Sequence, residues 1–530
     1  MHTDMGKLPG KSGPAGYWII TVIFIAAKLS LHFLTNTRYE LLRDEMLFFN
    51  MGEHLSAGYA TVPPVTGFIA FLAHNIFGFS VFGIRFFPAV LGASSIYLIA
   101  LLIREIGGGV FALAIAAASY LFAPGFLLTG TLYTPNSFEE FIWVLATLFI
   151  IKLVKTNRPV LWLPVGVLTG LGFLNKYSML FLAAGIIPAL FFSPYRRLLA
   201  SRYFLMAVFA CLFIMAPNLI WQYQHGWPVI IHMSELKSHQ LDLLGFLYFP
   251  TSLFAFCQGS MLISVAGLVF LIFSREGKQL RFIGLSSLIV FMLLLFLKGK
   301  GYYGLVIMPV LFAAGGYALE KYFNGPLFHV RNGLVVISLI MSLLALPSGL
   351  PVLSYAGYEK YVSMTRSFIF HPLLEWDNGT RHNFSQAYAD MTGWNELAGI
   401  VARAYNSLTE EEKTKCTIFG EKNYGYAGAV YFYGKKYGLP EAVTFHESYV
   451  FWAPDSIPDG PLIYIYRDRN DMDEIFSEVR EIGSVDNIFF REKGLKVFLC
   501  RSPRKDVRKI YKDLAAEEKK RYSRQAASRL

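Results

Sequence analysis

Apolar residues in this chain gather in long runs separated by short polar breaks. A helix needs about 20 apolar residues to cross a bilayer. On that length criterion about eleven runs qualify, near 16–35, 84–103, 108–128, 138–154, 159–174, 177–193, 203–222, 249–273, 282–297, 303–319 and 332–350. Only Asn175-Lys176 parts the fifth run from the sixth. After Ser354 the pattern changes: charges occur throughout and no run is long enough to span. There the spacing predicts helices over Trp394 to Leu408, Ala427 to Tyr437 and Asp471 to Ile482, the second stopped by Gly438-Leu439-Pro440. Strands are predicted at Thr417-Ile418-Phe419, Leu462 to Tyr466 and Val497-Phe498-Leu499. The expected fold class is a polytopic α-helical membrane protein with a C-terminal α/β soluble domain, residues 1–354 spanning and 355–530 outside the bilayer.

Composition agrees, with 54% hydrophobic residues among 530 and a mean hydropathy of +0.43. The net charge of +11 follows topology. Basic residues such as Lys7, Lys11, Arg104, Lys152, Lys155, Arg196, Arg197, Arg275, Lys278 and Arg331 fall in alternate short loops. That pattern places the N-terminus inside, and an odd number of spans then places the C-terminal domain outside. Charge spread over separate loops leaves no nucleic-acid footprint. Met1 to Ala15 is polar and reads as no cleavable signal peptide. Cys211 and Cys257 lie in apolar runs and read as packing residues; a bridge between Cys416 and Cys500 stays open.

Three segments on the outer side are long enough, or polar enough, to carry chemistry. The first, 36–83, holds Arg43-Asp44-Glu45 on a short interfacial helix. Carboxylates held against a bilayer are expensive and therefore functional suspects. Asp44 or Glu45 can take a proton from an attacking hydroxyl. Arg43, Arg85, Lys176, Lys298 and Lys300 are the outer-face cations that can hold an anionic leaving group. The third segment, Lys298-Gly299-Lys300-Gly301-Tyr302-Tyr303, is short and stands where an apolar span emerges; its tyrosines offer flat faces beside the lysines. Plainer readings exist for each. Asp44-Glu45 fits a solvated turn, the lysines can snorkel, Arg85 can anchor a span, and Asn136 with Glu139-Glu140 can simply start a helix. Lys28, inside the first run, snorkels or pairs there. The second segment, Gln222 to Phe249, carries His225, His232 and His239 without a tight ligand spacing, so no metal residue is assigned, and a divalent metal stays open as a cofactor. Gly107-Gly108-Gly109 lacks the Lys and Ser/Thr of a phosphate loop.

In order along the chain stand Arg43-Asp44-Glu45, Gly58-Tyr59, Pro63-Pro64, Phe77-Gly78-Phe79-Ser80, Arg85, Thr134-Pro135-Asn136-Ser137-Phe138-Glu139, Asn175-Lys176 and Lys298-Gly299-Lys300-Gly301-Tyr302-Tyr303. This set resembles the bacterial dolichyl-phosphate-mannose–protein mannosyltransferase-like family, which includes the aminoarabinose transferase of lipid A. The C-terminal part resembles a branch of it through Ala389-Asp390, Gly393-Trp394, Asn423-Tyr424-Gly425, Tyr433-Gly434, Gly438-Leu439-Pro440 and Tyr449. The resemblance implies a GT-C fold in the bacterial cytoplasmic membrane. It implies an inverting glycosyltransferase moving a sugar from a polyprenyl-phosphate donor, among membrane lipid, to an envelope acceptor. Asp44 is then the catalytic aspartate, with Glu45 beside it. Arg43, Tyr59, Arg85, Asn136, Glu139, Lys176, Lys298, Lys300, Tyr302 and Tyr303 are the substrate-binding candidates. Val62-Pro63 stands where the aminoarabinose transferase has an acidic-basic pair, and Ser234-Glu235-Leu236-Lys237 where it has a metal-ligating histidine. Asn136 stands where many relatives have Asp. The rival classes are a polyprenyl-linked substrate transporter or flippase, and a carbohydrate sensor anchored by its spans. Transporters show paired repeats, and none is visible here.

Overall fold

The computed structural model describes residues 14–323, 325–367 and 374–527; Lys7, Lys11 and the start of the polar N-terminal stretch lie outside them. Among the described residues six helices are long and apolar enough to cross a membrane: Ala15–Thr35, Val81–Ile106, Arg202–Gln224, Glu276–Phe296, Gly301–Tyr322 and Gly325–Ser348. Two further bent pairs satisfy the same criterion, Val110–Phe122 with Pro124–Thr131 and Pro228–Leu243 with Tyr248–Cys257. The protein is multi-pass, with fewer full-length spans than the run lengths suggest. The reason is breaks inside apolar sequence. Pro124 starts a new helix bent by 61° from its predecessor, because proline pushes the residue before it out of the helical region. The run at 249–273 is interrupted at Gln258, whose φ of 47° ends one helix before Ser260–Phe273 begins. The runs at 159–174 and 177–193 form short helices, Trp162–Asn175 and Leu180–Phe191.

Lys28 neither snorkels nor reaches solvent. It is fully buried and its Nζ donates to the Phe126 carbonyl at 2.6 Å, tying the first span to the helix after the Pro124 break. An ammonium in the apolar interior is tolerated only with such a partner.

The C-terminal part contains a four-stranded sheet of β1 (Thr417–Gly420), β2 (Leu462–Tyr466), β3 (Phe476–Ser484) and β4 (Lys496–Pro503), in the order β1-β2-β4-β3. β1 and β2 run parallel, and the other pairs antiparallel. The amphipathic helix Trp394–Asn406 lies against β3 and β4 as its spacing predicts. The helix expected over Asp471 to Ile482 is confined to Met472–Ile475, and the rest is β3. Its charges at Glu478, Arg480 and Glu481 are side chains of an edge strand, where charge discourages further pairing. All four cysteines are free.

This sheet does not stand apart from the membrane part. Leu41, Met46, Leu47 and Phe49 share one apolar cluster with Trp394, Ala427, Val430 and Leu499. The helix Arg43–Asn50 lies against Tyr424–Gly434. Two glycines allow the approach. A Cβ at Gly425 would sit 2.7 Å from Arg43 Cγ, and one at Gly428 2.8 Å from Met46 Cβ.

The other face of Arg43–Asn50 is held by a buried ion pair. Glu45 and Arg85 are both fully buried. Arg85 donates Nε to Glu45 Oε1 at 3.0 Å and Nη2 to Oε2 at 2.6 Å. Its remaining N–H groups go to the carbonyls of Asn36, Tyr39 and Glu40. Glu45 also accepts from the backbone N–H of Leu42 at 2.7 Å and of Tyr133 at 2.8 Å. Removing one partner of such a pair strands a buried charge and costs about 3–5 kcal/mol. Glu45→Ala and Arg85→Leu are each expected to lower the thermal unfolding temperature of the detergent-solubilised protein sharply. Glu45→Leu/Arg85→Leu together should be less damaging than the sum of the single changes. Simple additivity in that double-mutant cycle shows that the pair does not act as a unit.

Candidate active site

Asp44 and Glu45 are neighbours on the first turn of one helix, yet they face different surroundings. Glu45 points inward to Arg85. The Asp44 side chain remains 43% exposed. Their positions suit the positive end of the helix, but only Asp44 has a free face. The Tyr424 hydroxyl donates to Asp44 Oδ1 from the C-terminal domain, and Arg43 Nε lies 3.8 Å from the same oxygen. The Arg43 guanidinium stands 5.1 Å over the Tyr424 ring, and its buried Nε has no hydrogen-bond partner. Asp390 lies in the same electrostatic neighbourhood. Arg491 donates Nη1 to its Oδ2 at 2.9 Å, and its Oδ1 is buried without a partner. Burial lifts the Asp390 carboxyl above the usual range, against the pull of Arg43 and Arg491.

A second group forms where spans end. Trp162–Asn175 stops and Lys176 is extended, at φ −157°. Asn175 Nδ2 donates to the Pro135 carbonyl at 2.8 Å, docking this break on the start of helix Pro135–Thr156. Lys176 Nζ then reaches Asn136 Oδ1 at 2.7 Å and Glu139 Oε2 at 2.8 Å, and Ser178 donates to Glu139 Oε1. Asn136 is no helix cap: Thr134 occupies that place, and Asn136 sits inside the first turn. The Lys176 ammonium lies 4.7 Å from the Tyr303 ring centre and 5.6 Å from that of Tyr302. Cations gain from such faces. Four candidates far apart in sequence thus close on Lys176.

The glycine-lysine segment brings the third group. Lys300 Nζ donates to Gln240 Oε1 at 2.7 Å and to Asp377 Oδ1 at 3.0 Å. Lys298, more exposed, lies 3.7 Å from Asp242. Tyr302 and Tyr303 face Lys176 and follow Lys300 directly in the chain, so the second and third groups adjoin. His232 pairs with Glu447 at 3.3 Å, linking helix Pro228–His239 to the C-terminal domain. Burial pushes the Glu447 carboxyl up, but His232, His446 and Arg43 outweigh it and hold it below the usual range. No group of three His, Cys, Asp or Glu among the described residues is arranged to hold a metal ion.

Two candidates stand apart from the three groups. Tyr59 is buried and spends its hydroxyl on the carbonyls of Met51 and His54. Arg85 is consumed by Glu45 and three backbone carbonyls. The sequence reading missed Tyr424, Ser178, Gln240, Asp377, Asp390 and Arg491 as site groups. Tyr424 and Asp390 had a signal, since both stand in the ordered motifs; the others had none.

The chain has the GT-C fold. It superposes on ArnT from Cupriavidus metallidurans bound to undecaprenyl phosphate with a TM-score of 0.60 at 14% identity, over 92% of this chain and 98% of that one. The apo form of that protein gives a TM-score of 0.58 at 15% identity over the same shares. The family resemblance carried by the motifs is borne out: residues 61–221 match the family described as dolichyl-phosphate-mannose-protein mannosyltransferase. Among curated proteins the chain is similar to a lipid A galacturonosyltransferase, RgtD, of Rhizobium johnstonii, 26% identical over 195 residues. That match covers 36% of this chain and 41% of the relative, so the chain spans less than half of that relative's length.

Proposed function

We propose that this protein is an inverting glycosyltransferase that takes a sugar from a polyprenyl-phosphate donor and passes it to an envelope acceptor. The observations that carry the reading are the partly exposed Asp44 carboxylate held by Tyr424, and the cluster of Lys176, Asn136, Glu139, Tyr302 and Tyr303 where spans end. The named activity of the galacturonosyltransferase relative and the undecaprenyl phosphate bound by ArnT support it. Asp44 is the base. It takes the proton of the acceptor hydroxyl as that oxygen attacks the anomeric carbon. The bond from that carbon to the phosphate oxygen breaks in the same step, and its electron pair stays with the phosphate. One displacement inverts the anomeric centre. Lys176 and Lys300 stabilise the charge left on the phosphate. Tyr302 and Tyr303 form the flat wall for sugar or headgroup. Tyr424 holds Asp44 in aim. Glu45, offered by the sequence as a second acid, has no free oxygen for this work, and Arg85 no free N–H. In this reading residues 1–354 form the membrane catalytic domain and 355–530 an extracytoplasmic domain that closes over the site.

A lost base costs about 10²–10⁴-fold in rate. Asp44→Asn is therefore expected to keep the affinity for a polyprenyl-phosphate sugar while transfer slows at least about a hundredfold. Tyr424→Phe, which removes one hydrogen bond to a charged group, should slow transfer about tenfold. Near-normal transfer by Asp44→Asn removes it as the base. For the phosphate, Lys176→Met and Lys300→Met should each weaken donor binding about tenfold, with Lys298→Met close to unchanged because that ammonium is exposed and loosely paired. Equal losses in all three, read by equilibrium binding, contradict the assignment. For topology, reporter fusions after Pro194 and after Ser354 should report inside and outside respectively, and the same side for both overturns the orientation.

A further inference from the structure

The cation assigned to the donor phosphate already carries a carboxylate. Lys300 has three N–H bonds; one goes to Gln240 and one to Asp377. Both members of the Lys300–Asp377 pair are largely shielded from solvent, at 16% and 24% exposed. Asp377 is not a loose side chain. Gln386 Nε2 donates to its Oδ2 at 2.7 Å, and its own backbone N–H donates to Gln386 Oε1 at 2.6 Å. Burial raises the Asp377 carboxyl, and Lys300 and Gln386 outweigh it, so it stays charged at neutral pH. A fixed negative group thus stands next to the place assigned to a phosphate, contributed by the C-terminal segment.

This has a consequence for turnover. In the loaded donor the phosphate is a diester with one negative charge. After transfer it is a monoester carrying about −1.5 to −2 at pH 7. Cations arranged for the leaving phosphate hold the spent carrier more strongly than the loaded one, and release of product then limits the rate. A resident carboxylate opposes this, because its repulsion grows with the charge on the phosphate. Anchored by Gln386, it cannot swing away to relieve that repulsion.

We infer that Asp377 is a release group: it competes with the carrier phosphate for Lys300 and expels the spent monoester more strongly than it weakens the loaded diester. The inference rests on the reading of Lys300 as a phosphate cation. It makes Asp377 a positioning residue acting through Lys300, and it gives the C-terminal domain a part in discharging the carrier.

The test uses the purified full chain and two probes at pH 8, undecaprenyl phosphate as the dianionic monoester and undecaprenyl methyl phosphate as the monoanionic diester. Asp377→Asn should tighten monoester binding at least about fivefold and diester binding about twofold. Inhibition of transfer by added monoester should strengthen in step. Asp377→Glu, which keeps the charge, should bind the monoester as the parent does. Asp377→Ser serves if the amide variant does not fold. Unchanged or weaker monoester binding in the charge-removing variants overturns the release role, as does equal tightening of both probes. Lys300→Met separates the two levels. If it weakens both probes while Asp377→Asn changes neither, only the release role falls. If it changes neither probe, the phosphate reading beneath it falls too.

Discussion

Everything in the candidate site hangs on the buried pair between Glu45 and Arg85. Neither group can leave the other without stranding a charge in an apolar interior. Arg85 also gathers the carbonyls of residues 36, 39 and 40, and Glu45 the backbone N–H groups of Leu42 and Tyr133. One ion pair therefore joins the end of the first span, the start of the second long span, the outer helix and the turn before helix Pro135–Thr156. With Glu45 locked inward, Asp44 is the carboxylate of the two that stays partly exposed, held by the Tyr424 hydroxyl.

Close approach governs the other face of the outer helix. Gly425 and Gly428 let the helix Tyr424–Gly434 lie on the outer helix, which puts the Tyr424 hydroxyl on Asp44. The apolar cluster that results runs through both parts of the chain. The C-terminal segment therefore supplies groups to the candidate site: Tyr424 on Asp44, Asp377 on Lys300, Glu447 on His232. Cations in the site come with carboxylates of their own, Lys176 with Glu139 and Lys300 with Asp377. Partly buried ammonium groups need such partners.

Much of this was legible in the chain, and the failures have physical causes. Lys176 was legible as a candidate because it interrupts two apolar runs, and the structure brings four other candidates, Asn136, Glu139, Tyr302 and Tyr303, onto it. Asp44 and Glu45 were legible as a pair but not as opposites, because burial of one depends on Arg85, forty positions away in sequence. Lys298 and Lys300 read alike at the end of one span, yet only Lys300 meets Gln240 and Asp377, from two other segments. Spans were overcounted because apolar length does not record the bends at Pro124 and Gln258. The stretch 471–482 was misread because an edge strand guarded by charge has the composition of a solvated helix.

By itself the sequence determined what depends on local composition: a multi-pass chain, a charged α/β segment after Ser354, the helix Trp394–Asn406 and three of the four strands. Those follow from hydrophobic length and periodicity, which neighbouring residues alone decide. Only the tertiary structure decided which of two adjacent carboxylates is exposed, which lysine faces the site, and that Tyr424 and Asp377 belong to it. Each of those depends on a partner tens to hundreds of residues away, and the energy of a buried charge is set by the groups that surround it rather than by its place in the chain.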